Sequence, residues 1–103
     1  MAVSSDIAGQ GTLTGAGTQD TVRTATGTEY HVVTFTNYSG NTVTLDVWVN
    51  GTADQNLIGP PDIDMLTKET VVFNIKLGNG DTIRAEASAA NSIVYTDEMD
   101  VLS

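Results

Sequence analysis

The chain contains no cysteine, which excludes a disulfide framework and any thiolate metal site. Basic residues are scarce. Four lysines and arginines stand against 13 aspartates and glutamates, a net charge of −9. Affinity for nucleic acid rests on basic side chains that neutralise phosphates, so this balance argues against a DNA- or RNA-binding role. The acidity instead favours solubility, or a docking surface for a basic partner. No stretch approaches the roughly 18 consecutive apolar residues of a membrane-spanning helix. The opening residues Met1-Ala2-Val3-Ser4-Ser5-Asp6 show neither the basic region nor the apolar run of a secretory signal, so folding in a cytoplasm is expected. There are only two prolines, adjacent at Pro60-Pro61, and one histidine, His31.

What the chain does have is alternation. Thr42 to Asn50 reads Thr-Val-Thr-Leu-Asp-Val-Trp-Val-Asn. In a strand successive side chains point to opposite faces, so Val43, Leu45, Val47 and Val49 share one face. The other face carries Trp48 among Thr42, Thr44, Asp46 and Asn50. Asn50-Gly51 is tight-turn chemistry. Comparable strand signals cover Asp20–Ala25, Glu29–Thr36, Glu69–Leu77, Thr82–Ala87 and Ile93–Leu102, with weaker ones at Gln55–Ile58 and Asp62–Leu66. Turn residues separate them at intervals of about 10 residues, the spacing of an all-β sandwich or barrel. Gly78-Asn79-Gly80-Asp81 reads as a second hairpin turn. Gly59-Pro60-Pro61 cannot lie inside a sheet and marks a crossing from one sheet to the other. In the last strand Ile93, Tyr95, Met99 and Val101 align only if Asp97 is exposed or a bulge intervenes.

These signals predict a single all-β domain: an antiparallel β-sandwich, jelly-roll-like or immunoglobulin-like, of about seven to eight strands over residues 18–103. Residues 1–17 are small and polar, with Gly9, Gly11, Gly15 and Gly17 spread through them. They read as an extended, flexible N-terminal arm.

Chemistry is hard to find. His31 is the one candidate for general-base work, but it is expected to share a face with Val33 and Phe35, and no Gly-x-Ser-x-Gly elbow accompanies it. The chain is not expected to be an enzyme. The acidic groups Asp62/Asp64 and Asp97/Glu98/Asp100 lack the spacing of a calcium loop, so no metal and no cofactor is expected. Asn37-Tyr38-Ser39 and Asn50-Gly51-Thr52 match the glycosylation sequon, but read as turns in a chain without a secretory signal. The residues that read as a surface are Trp48, Tyr30, Tyr38 and Asp46. Exposed tryptophan and tyrosine are enriched at protein interfaces, which is the preferred reading. A sugar-stacking platform that also draws in Tyr95 is the alternative.

From Glu29 to Ser103 the order of features resembles the small β-sandwich virion proteins of tailed bacteriophages. The resemblance rests on Val47-Trp48-Val49-Asn50-Gly51, on the Ile58-Gly59-Pro60 crossing and on Gly80-Asp81-Thr82-Ile83-Arg84-Ala85-Glu86-Ala87-Ser88. It implies a structural protein of the virion, foremost a capsid decoration or cement protein on the outer head surface, with a neck or tail component as another place in the particle. The implied partner is the major capsid protein or another virion protein, with self-association into a homo-oligomer such as a trimer, and with neither nucleic acid nor membrane. A carbohydrate- or receptor-binding module of a tail or fibre is the competing function.

Overall fold

A computed structural model describes residues 3–102, with side chains for residues 7–100. It contains eight strands: β1 (Val3–Thr12), β2 (Asp20–Thr24), β3 (Glu29–Asn37), β4 (Val43–Val49), β5 (Ile63–Met65), β6 (Thr70–Leu77), β7 (Thr82–Ala87) and β8 (Ile93–Leu102). One sheet has the order β1-β8-β3-β6 and the other β2-β7-β4-β5, and every pairing is antiparallel. Of the two sandwich types expected, this strand order is that of a jelly roll. The chain changes sheet at every connection except β4 to β5.

The alternation explains the packing. On β3, Glu29, His31, Val33, Phe35 and Asn37 are all buried, and the residues between them are more exposed. Val33 and Phe35 meet Val43, Leu45 and Val47 of β4 and Ile83, Ala85 and Ala87 of β7 in one core. Phe35 stands edge-on to Phe73 at 6.0 Å between ring centroids and lies 6.4 Å from Tyr95. Val71, Phe73 and Ile75 point inward as expected but are only half-buried. Their strand is the edge of its sheet, and only three-residue β5 stands at the corresponding edge of the other.

Five expectations need correction. The flexible arm is not what residues 3–12 form: Val3 to Thr12 pairs with β8 from Val3↔Leu102 to Thr12↔Val94. Gly11 serves this pairing. A Cβ at Gly11 would lie 3.0–3.2 Å from the Tyr95 ring, so glycine admits the ring between the sheets. Residues 1 and 2 lie outside the described range. Asn50-Gly51 does not close a tight hairpin either. Both residues have positive φ (61° and 142°), but they send the chain into a long excursion containing a 3₁₀ turn at Asp54–Asn56, where a strand was expected. That excursion ends at β5, which pairs with β4 in the same sheet. The Gly59-Pro60-Pro61 segment is therefore no crossing. The chain crosses instead between Met65 and Thr70, and again at Gly78–Asp81, which joins two sheets and forms no hairpin.

Candidate functional site

Two places stand out once the strands are assembled. The first is inside. Glu29 and His31 are consecutive inward residues of β3, and Asp97 points inward from the neighbouring β8. Arg23 arrives from the opposite sheet. The pairing of β2 with β7 slips between Thr21 and Arg23, a bulge that sets Arg23 opposite core residue Ile83 while Val22 also stays in the core. A regular strand would turn one of the two outward.

The four side chains form one line of hydrogen bonds. Arg23 donates to Glu29 through Nε (3.0 Å) and Nη2 (2.8 Å), a two-pronged pair. The Thr26 N–H donates to Glu29 Oε2 at 3.0 Å. His31 Nε2 lies 2.8 Å from Glu29 Oε1, and Nδ1 lies 2.6 Å from Asp97 Oδ1. The His31 and Asp97 side chains are completely buried, and that of Glu29 is 2% exposed. The hydrogen bonds from Arg23, joined by those from Thr26 and His31, hold the Glu29 carboxyl at about 2, down from 4.5, against the opposing cost of burial. Asp97 is displaced the other way. Burial raises it, only partly offset by its hydrogen bond to His31. Its Oδ2 is buried with no hydrogen-bond partner.

This line contains the one histidine, flanked by two carboxylates, which is the raw material of acid–base catalysis. The ring is completely buried between the sheets, however. The network joins β2 of one sheet to β3 and β8 of the other and so ties the two sheets together. Asp97 is neither exposed nor spared by a bulge in β8, since β8 runs in unbroken register with β3. The slip lies on the other side of β8, in β1 between Ile7 and Gly9. Glu29 and Arg23 were not singled out in the sequence. For Glu29 the signal was there: it sits two residues before His31 and so shares its face. For Arg23 there was none, because only the bulge turns it inward.

The second place is outside, on the outer face of the β1-β8-β3-β6 sheet. Cross-strand rungs run Asp100–Tyr30–Lys76, Glu98–Val32–Asn74, Thr96–Thr34–Val72 and Val94–Thr36–Thr70. Gln10 and Thr12 of β1 extend the last two rungs. Tyr30, Val32, Val72 and Val94 are exposed apolar residues here. Lys76 Nζ lies 5.6 Å from the Tyr30 ring centroid. A depression of about 520 Å³ lies among Tyr30, Val32, Asn74, Lys76, Glu98 and Asp100. Charge is thus confined to one end. The other half of the face carries only threonine, valine and glutamine.

The residues expected to form a surface do not come together. Tyr30 is on this face and Tyr38 is exposed in the loop after β3. Asp46 and Trp48 lie on the outer face of the other sheet, opposite Glu86 and Arg84. Trp48 is only 7% exposed, yet stands apart from the inter-sheet core. The excursion after β4 returns beside it, with Leu57 bridging to Trp48 and the Ile58 N–H donating to the Val47 carbonyl. The chain itself thus occupies the place foreseen for a partner. Asp46 accepts a hydrogen bond from the Asp62 N–H, and burial, with Asp62 and Glu86 nearby, raises its carboxyl. Asp97 points inward while Glu98 is exposed on the opposite face, so the acidic run of β8 is not gathered into one group. Among the described residues no group of three histidine, aspartate or glutamate side chains is placed to hold a metal ion.

Comparison with known proteins finds no matching family model, no matching curated protein and no matching solved structure.

Proposed function

We propose that this chain is a structural protein of a bacteriophage particle, a capsid decoration or cement protein that binds the outer head surface and stabilises it. The observation that carries the reading is the uncharged half of the outer sheet face. On a chain with 17 charged residues, the exposed rungs through Thr34 and Thr36 hold none across four strands. Depletion of charge at the centre, with charge at the rim, is the compositional mark of a protein–protein interface. A rigid sheet also costs little to order on docking. The partner is the major capsid protein or another virion protein. The jelly roll agrees with this reading, being an architecture widespread among viral capsid proteins, although lectins share it.

The burial of the histidine takes support from an enzymatic role. The cover over Trp48 likewise takes support from the glycan-binding alternative, which relied on that ring as its platform. Val72→Asp and Thr96→Asp each place a charge at the centre of the bare half-face without touching the core. As surface changes they are expected to alter stability by no more than about 0.5 kcal/mol. Co-sedimentation with heads of the phage that encodes the chain should drop at least tenfold for either variant. Undiminished binding by both variants overturns the assignment of this face, and failure of the unaltered protein to bind heads overturns the function itself.

A further inference from the structure

The buried network has a proton count that its geometry dictates. Glu29 is the partner of Arg23 and is ionised, so its Oε1 can only accept. His31 Nε2, 2.8 Å away, must therefore donate, and the remaining question is Nδ1. It lies 2.6 Å from Asp97 Oδ1. A hydrogen bond of that length needs one proton between the two atoms. Either the imidazolium donates to a carboxylate, or a carboxylic acid donates to a neutral imidazole. In both forms the four side chains sum to zero charge. Remove the proton and a bare nitrogen faces a bare carboxylate in a dry interior, with a net buried charge of −1. Asp97 has no other support, because its Oδ2 lacks a partner.

We propose that the His31–Asp97 contact is a one-proton latch that holds this end of the sandwich shut and releases when rising pH removes the proton. The groups that face it are few. Arg23 comes from β2, Glu29 from β3, and Tyr95 and Met99 flank Asp97 along β8. Met99 sulfur is within 3.5 Å of Arg23 Nη2. From β6 the cross-strand neighbour of His31 is Ile75, and from β1 that of Asp97 is Gly9, neither of which titrates. Asp20 of β2 bears on Tyr95. No other charge is present to compensate the one created when the proton leaves, so water must enter or Asp97 must move. Either response disturbs the His31–Glu29–Arg23 line that ties the sheets together.

The sign follows from linkage. Asp97 is raised above its ordinary value by burial, so the folded state keeps a proton that the unfolded chain gives up. The stability this proton contributes is present at low pH and is lost as pH rises through the raised folded value of Asp97. Once the folded state also titrates, the dependence flattens. In between, the unfolding constant rises up to about tenfold per pH unit, the limit for one proton.

The chain has one histidine, so the test is unambiguous. Imidazole ¹⁵N and ¹H spectra of the whole protein at pH 7 should show both ring nitrogens hydrogen-bonded and a far-downfield proton protected from water. Urea unfolding between pH 5 and pH 9 should show the alkaline loss in the wild type, and Asp97→Asn should flatten it, since an amide needs no shared proton. A ring with a bare Nδ1 at pH 7 overturns the proposal, and so does an equal pH slope in Asp97→Asn. Should that variant fail to fold, the wild-type spectra decide alone.

Discussion

Replacing Glu29 by Gln isolates the charge of the inter-sheet tie from its shape, because glutamine closely matches the protonated acid. The Glu29 carboxyl is held down from 4.5 to about 2, chiefly by the hydrogen bonds from Arg23. At about 1.4 kcal/mol per unit, that depression corresponds to roughly 3 kcal/mol of stability above pH 5. A second route gives a similar figure. Breaking a buried ion pair by removing one partner costs about 3–5 kcal/mol, and the Glu29 side chain is 2% exposed. Glu29→Gln should therefore lose about 3 kcal/mol at pH 7. A depressed carboxyl contributes stability above its unfolded value and loses it as pH falls through its folded value. The gap between wild type and variant should accordingly shrink from pH 4.5 downward and close near pH 2. Urea unfolding read by Trp48 fluorescence, with both proteins at each pH, measures the gap directly. A loss under 1 kcal/mol at pH 7, or a gap unchanged between pH 7 and pH 2.5, refutes the reasoning.

Two further outcomes are expected. Gly11→Val drives a side chain into the Tyr95 ring, where even a Cβ has only 3.0–3.2 Å, and should cost about 1–3 kcal/mol in thermal or urea unfolding; a neutral result contradicts the close approach of β1 and β8. Trp48, at 7% exposure, should emit at short wavelength and resist acrylamide quenching, and Trp48→Ala should lower stability by about 3–5 kcal/mol; emission typical of a solvated indole contradicts its cover by the excursion after β4.

The strands were legible because their alternation is physical. A half-buried strand must repeat every two residues; Thr82–Ala87 does so without a break, and Glu29–Thr36 and Thr42–Asn50 break it only at Val32-Val33 and at Trp48. Their connections were not legible. Turn residues such as Asn50-Gly51 and Gly78-Asn79-Gly80 supply positive φ wherever a chain reverses, whether into the next strand or across to the other sheet. Strand β1 escaped notice because its apolar content is low. Its place is set by pairing with β8 and by Gly11, which yields space to Tyr95, neither of which leaves a hydrophobic period. The buried network was half visible. The inward face of His31 was readable from Val33 and Phe35, and Glu29 shares it. The hydrophobic pattern, however, counts Asp97 as an interruption of β8, when it is the residue that completes the cluster. Trp48 stands outward on its strand as read, but its exposure depended on where residues 51–62 return, which local sequence does not specify. The bare half-face of threonine and valine emerges only when four strands are aligned.

The proposed function is tested most directly by a cryo-electron microscopy map of intact particles of the phage to which the proposal assigns the chain. The account predicts an eight-stranded sandwich on the outer surface of the head, with the Thr34–Val72–Thr96 side of its sheet against the shell. Particles whose heads lack this density, or carry it with that side turned to solvent, contradict it.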